Sequence, residues 1–168
     1  MSEVFSDDIV ARLAGADATD RVRAALESRA DVMAMTQTTH DAALSPADPG
    51  GLSHALRTAL AVRVARLNEN AELADHYRTL LEKAGAGEAE NAVSDPAYRG
   101  HEEHRLSAII AFTDLVSMRP RDTRAADIEA LQAAGIPDAD IVRLAELNAF
   151  LAYQIRVIAG LKLMKATA

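Results

Sequence analysis

The chain contains no cysteine and no tryptophan. The first absence is the harder constraint, because it removes disulfides, thiolate metal ligands, cysteine nucleophiles and peroxidatic thiols in one step. With aromatic residues at only 4%, packing rests on Leu, Ile, Val and Ala, and helices approach closely wherever Ala lines a contact. Lys and Arg form no run, and the formal charge is −7. A general nucleic-acid binder needs a clustered basic face, so no nucleic-acid partner is expected; Arg119 and Arg121 around Pro120 are too little. Nowhere do β-branched residues alternate over a useful length, which leaves no strand signal. A Gly-rich phosphate loop and a serine nucleophile elbow are also missing, and nothing calls for a cofactor. No apolar run approaches the roughly 18–20 residues of a membrane span, and MSEVFSDDIV lacks the basic and apolar regions of a signal peptide. The expectation is a cytoplasmic protein with no membrane partner.

What is present is helical. At 168 residues, 49% of them hydrophobic, the chain suits one all-α domain, with duplication of a helical unit as an option, and can bury a core without staples. Asp7 or Ser6 is placed to cap a short helix through Ala14, ended by Gly15. A second helical stretch runs from about Thr19 to Ala43, with Val22, Ala25, Leu26, Val32, Met33 and Met35 apolar; a phase shift near residues 28–31 means two helices or a bend. SPADPGG at 45–51 is the clearest boundary. Residues 1–44 therefore read as a helical arm, packed across the domain or onto a neighbouring subunit, and 45–168 as the main helical domain.

Residues 52–84 form its centre, as two helices joined by a turn at 68–70. Leu52, Leu56, Leu60, Val64 and Leu67 recur at helical spacing in the first, with small residues lining much of the rest. Leu73, Tyr77, Leu80, Leu81 and Ala84 make one stripe on the second, headed by Asn70. GAGEAENAVSDPAY at 85–98 reads as a mobile, exposed loop. A helix from about Gly100 to Met118 follows, stopped by Pro120; Thr123 is placed to cap the next, which ends at Gly135. The last helix runs from about Pro137 to Met164. It is apolar on several faces, one of them Ala145, Ala149, Ala152, Arg156 and Ala159, so it is either central to the bundle or partly buried against another subunit.

Leu52-Ser53, Asn68 and the stretch from Arg105 to Leu161 resemble the carboxymuconolactone decarboxylase and alkylhydroperoxidase D superfamily. The core of that superfamily reads roughly as Leu-Ser, a helix bearing a glutamate, then Asn-x-Cys-x-x-Cys-x-x-x-His. SPADPGGLS and AFLAYQIRVIAGL are most similar to its cysteine-free members, described as carboxymuconolactone decarboxylase-domain proteins. The resemblance implies an oligomeric, all-α bundle of about six to eight helices, assembled as a homo-oligomer based on dimers or trimers, with a cysteine-bearing relative as a further possible partner. It also places the first cysteine at Asn70, the second at Leu73, the histidine at Tyr77 and the proton-relay glutamate at Thr58. All four are substituted, and no thiol peroxidase activity is expected.

Three groups of residues are candidates for chemistry. Thr58, Asn70, His76 and Tyr77 either gather into a polar pocket for a carboxylate, lactone or alcohol, or are structural, with Asn70 a cap, Tyr77 core and His76 solvated. His76 lies one residue, ~100° of helix, before the implied histidine position. His101 and His104, three apart on one turn, are a weak metal pair set against a solvated helix start. Asn148 and Arg156 interrupt apolar stripes; Arg156 either pairs with Glu146 or another acid, or clamps an anionic substrate. Two functions follow, beside a third class, a metal protein through His101 and His104. One is a non-peroxidase oligomeric structural or small-molecule-binding protein. The other is a cysteine-independent decarboxylase or isomerase of a small lactone or acid, using His76 or Tyr77 for proton transfer and Arg156 for the anion.

Overall fold

The computed structural model describes residues 8–15, 19–100 and 103–167. Among these, the elements are helices only: α1 (Ile9–Ala14), α2 (Asp20–Glu27), α3 (Ala30–Leu44), α4 (His54–Leu67), α5 (Ala71–Lys83), α6 (Glu88–Val93), α7 (His104–Met118), α8 (Ala125–Ala133) and α9 (Asp138–Ala166), with a 3-10 turn at Pro120–Asp122.

α4 is the centre of the bundle. Every residue from Leu56 through Ala65 is buried, because α3, α5, α6, α7 and α9 all pack on it. The small residues Ala59, Ala61 and Ala65 let those neighbours close in, while Leu60, Val62 and Val64 fill the gaps. Each fully buried Leu or Val contributes about 1.5–3 kcal/mol. α4 and α5 meet through a turn tight enough to put Glu69 at a φ of 56°, a left-handed backbone that a non-glycine residue adopts at a cost. α5 then buries the stripe Leu73, Ala74, Tyr77 and Leu81 against α4.

Two arginines on α4, Arg57 and Arg63, are buried. Arg57 donates to the carbonyls of Leu52 (2.9 Å), Ala43 (2.9 Å) and Pro49 (3.2 Å), and so ties the loop after α3 to the helix it precedes. Desolvation by burial lowers its pKa. That loop is also held from α9, where buried Asp140 accepts from the Gly51 N–H (3.0 and 3.1 Å) and from Arg143 (3.0 Å).

Several expectations are corrected. The short first helix is capped by Asp8, whose carboxylate accepts from the Ala11 N–H at 2.9 Å; Ser6 and Asp7 lie outside the described residues. The stretch at 85–98 contains α6, with Val93 and Ser94 buried, because α4 arginines bind its carbonyls. α7 begins at His104 rather than Gly100. α8 is capped at Arg124, whose N–H donates to Asp127 at 2.7 Å, rather than at Thr123. Met35 is 66% exposed, so it is no core position of α3.

α9 departs most from expectation. By length and composition alone it is long and apolar enough to cross a membrane, against the expectation that no such run exists. In the bundle, however, Leu144, Leu147, Leu151 and Ile158 are fully buried against helices that include α1, α3, α4 and α7. Its alanine face is turned outward, and Ala145, Ala149, Arg156 and Ala159 are exposed. Arg156 is thus not buried, and it makes no ion pair among the described residues, whether to Glu146 or to another acid.

Candidate functional site

The four positions that the resemblance assigns to a thiol site carry structural side chains. Thr58 is buried and its hydroxyl donates to the His54 carbonyl at 2.8 Å. Asn70 caps α5, its side-chain oxygen accepting from the Leu73 N–H at 3.2 Å. Leu73 is fully buried core. Tyr77 is also fully buried, and its hydroxyl donates to Gln154 Oε1 on α9. Burial raises the phenol pKa above its ordinary value, against a smaller opposing effect of the Gln154 hydrogen bond, so Tyr77 is a neutral donor and not a base.

His76, one residue earlier on α5, is half-buried rather than solvated. Arg12 on α1 donates to its Nδ1 at 3.1 Å. Burial, then the neighbouring His40, Arg12 and Lys83, lower its pKa to about 4. His40 on α3 lies with its ring centre 5.7 Å from that of His76. It stacks on Tyr77 at 6.1 Å and meets Phe150 edge-on at 6.0 Å. It is 6% exposed, and its Nδ1 pairs with Asp41 Oδ1 at 3.0 Å. The Nε2 atoms of both histidines, and Gln154 Nε2, are buried without a hydrogen-bond partner. Buried polar atoms are ordinarily satisfied, so each of the three retains the capacity for one more polar partner.

His40 also walls a cavity of about 370 Å³, whose lining includes Thr58 and His54 from α4, Leu80 and Lys83 from α5, and Ala84 just after it. His54 Nε2 donates to the Pro46 carbonyl at 2.9 Å. With the Thr58 hydroxyl and His54 Nε2 donating inside the chain, the cavity wall presents the Lys83 ammonium, a donor suited to a small carboxylate.

Of the residues singled out from the sequence, Thr58, His76 and Tyr77 lie in or beside this site. Asn70 and Leu73 are its structural neighbours. Asn148 and Arg156 share a different groove of about 330 Å³ between α7 and α9, with Phe112, Val116 and Pro120. There Asn148 Nδ2 donates to the Leu144 carbonyl at 3.0 Å, while Oδ1 has no partner. His104 is exposed at the start of α7, and His101 lies outside the described residues. No group of three or more candidate metal-ligating His, Asp or Glu side chains occurs among the described residues.

Sequence reasoning missed His40, Asp41, Arg12, Lys83 and Gln154. For His40 a signal existed: Met33, Thr36, His40 and Leu44 are the buried residues of α3 and fall at helical spacing. For Arg12 there was none, because it reaches His76 across 64 residues of chain.

No protein-family profile matches the chain, and no curated protein does. Among solved structures, the chain is similar to an uncharacterized peroxidase-related protein from Silicibacter sp. TM1040, with a TM-score of 0.65 and 17% identity. The match covers 76% of this chain and 66% of the other, so this chain spans just under two thirds of that protein's length. At that identity the likeness concerns the fold alone, an all-helical bundle.

Proposed function

We propose that the chain is a cysteine-free relative of the carboxymuconolactone decarboxylase and alkylhydroperoxidase D superfamily that binds a small molecule instead of reducing peroxides, and that it does so as a homo-oligomer. The observation that carries this reading is the fate of the thiol site. Its four positions are occupied by residues built into the helices, yet a cavity with polar walls remains next to them, between α3, α4 and α5. Supporting the oligomer is an apolar groove of about 670 Å³ along α3 and α9, lined by Met35, Ala149, Phe150 and Tyr153 among others. A cysteine-bearing relative is the alternative occupant of that face.

A set of small carboxylic acids, lactones and alcohols, screened by thermal shift, tests the binding reading. At least one compound raises the Tm of the native chain, and Ala84→Phe, which fills the cavity from an exposed position, abolishes the shift. Shifts that survive Ala84→Phe, or none with any compound, count against it.

One observation favours a second reading, a cysteine-independent enzyme. His40 Nδ1 meets the Asp41 carboxylate at 3.0 Å while its Nε2 is buried without a partner, an arrangement that serves general-base catalysis. In this reading His40, and not His76 or Tyr77, moves the proton, because His76 gains a proton only in acid and Tyr77 does not ionise. Lys83, rather than Arg156, meets the anion in this cavity.

A further inference from the structure

α9 turns one face away from the bundle along much of its length. At about 100° per residue, Val142, Glu146, Ala149, Tyr153, Arg156 and Gly160 fall within about 80° of arc, and all six are exposed. Val142 is 56% exposed and Tyr153 38%, so two large apolar side chains stand in water at the cost of their burial. Apolar grooves flank the face, with Met35 in the wall on the α3 side and Phe112 and Val116 on the α7 side. Glu146 and Arg156 are its two charges, of opposite sign, and neither makes an ion pair among the described residues. They cannot pair with each other, because ten residues put them about 15 Å apart along the helix.

The same six residues are complementary to themselves. Glu146 and Arg156, Ala149 and Tyr153, and Val142 and Gly160 each lie symmetrically about Leu151. The pairs match acid with base and, twice, a large side chain with a small or absent one. In a two-fold interface residue i meets j while j meets i, so a second α9 running antiparallel and crossing at the level of Leu151 sets each member of a pair against the other. Gly160 supports this independently. A glycine inside a helix is less stable than an alanine, yet a Cβ at Gly160 would meet no neighbouring atom within 4 Å. Nothing inside the chain calls for the missing side chain.

We propose that the chain forms an isologous dimer in which α9 packs antiparallel on α9 of a second copy, with Glu146 paired to Arg156 of the partner subunit and Tyr153 seated over the partner's Ala149. The face from Val142 to Gly160 is about 27 Å long, too narrow alone for the roughly 800 Å² per partner that a stable interface buries. Both flanking grooves therefore close against the second copy as well, and Met35 goes under cover. This inference rests on the homo-oligomer reading above and gives it a register.

Sedimentation velocity of the full-length chain tests it, at low ionic strength so that charges at the interface rim are felt. The native chain sediments as a dimer or a multiple of one. Glu146→Arg and Arg156→Glu each set like charges against each other twice per dimer, and each weakens association at least about tenfold. An equimolar mixture of the two variants regains it, because a chain with two cations then faces a chain with two anions. Both positions are exposed, and circular dichroism checks that the variants fold. Should one fail to fold, Gly160→Leu replaces it: the new side chain fills the space taken by the partner's Val142 and weakens association by a similar factor. A native chain that stays monomeric overturns both this inference and the homo-oligomer reading, whether or not a cysteine-bearing relative then binds the face. A native oligomer that the single substitutions leave intact, or a loss that the mixture does not repair, overturns the α9 register and leaves that reading standing.

Discussion

Arg63 on α4 and Asp114 on α7 form a two-point ion pair, with Nε donating to Oδ1 at 2.6 Å and Nη2 to Oδ2 at 2.7 Å. The remaining donors of the guanidinium meet the carbonyls of Val93 and Pro96, both at 3.2 Å, and of Asp95. The side chain is wholly buried and all its donors are engaged, which is what makes a charge tolerable at the centre of a bundle. This one residue fastens α6, the loop after it and α7 to α4.

Arg63→Met therefore destabilises the fold by about 3 kcal/mol, since it strands a carboxylate and three carbonyls around an apolar side chain. Urea unfolding monitored by circular dichroism checks this. Double substitution with Asp114→Leu recovers part of the loss, because the charge left behind is then removed as well.

Stability falls with acid through His76. Its pKa in the folded chain, about 4, lies below its ordinary value of 6.5, so the unfolded chain binds the proton more readily. The sign follows: this contribution is fully present above about pH 6.5 and is lost as the pH drops toward 4. Unfolding midpoints measured at pH 7.5, 6 and 5 fall in that order, and His76→Asn flattens the trend over this window.

Gly51→Ala loosens the α3–α4 loop. A methyl group there would run into the Asp140 carboxylate and the Arg105 guanidinium, which hold the loop by accepting from the Gly51 N–H and donating to its carbonyl at 2.8 Å. The expected cost is about 2 kcal/mol, the scale of hydrogen bonds to charged groups. Asp140→Asn produces a comparable loss, and faster amide exchange confined to residues 45–53 identifies the mechanism.

Tyr77→Phe removes the only partner of the Gln154 side chain among the described contacts and leaves that amide buried and unsatisfied. The cost is about 1–2 kcal/mol, with no change in hydroperoxide turnover, because the residue acts in packing and not in redox chemistry. A Tm measurement paired with a peroxidase assay reads both halves.

The helical class and the α4–α5 pair were legible because apolar periodicity and the turn at 68–70 act locally, and of the residues singled out from the sequence Thr58 lines the cavity between α3, α4 and α5. Arg63 was not, since a buried charge defies hydropathy and only its partners, 30 to 51 residues away, make it possible. α6 was hidden for a related reason: it has six residues and one buried apolar side chain, so it is held by arginines from α4 and not by its own pattern. Arg156 was misplaced because alanines suit an exposed face as well as a buried one. His40 sat in what read as an arm, yet the buried residues of that arm, Ile9, Val22, Leu26, Met33 and Leu44, belong to the common core.

The central claim is that this helical bundle, having no cysteine, carries no thiol-based redox chemistry. Hydroperoxide consumption by the purified full-length chain, with dithiothreitol as reductant and cumene hydroperoxide as substrate, tests it most directly. The account predicts a rate equal to the protein-free control at every protein concentration; consumption that rises in proportion to protein, and persists after chelation of metal, would contradict it.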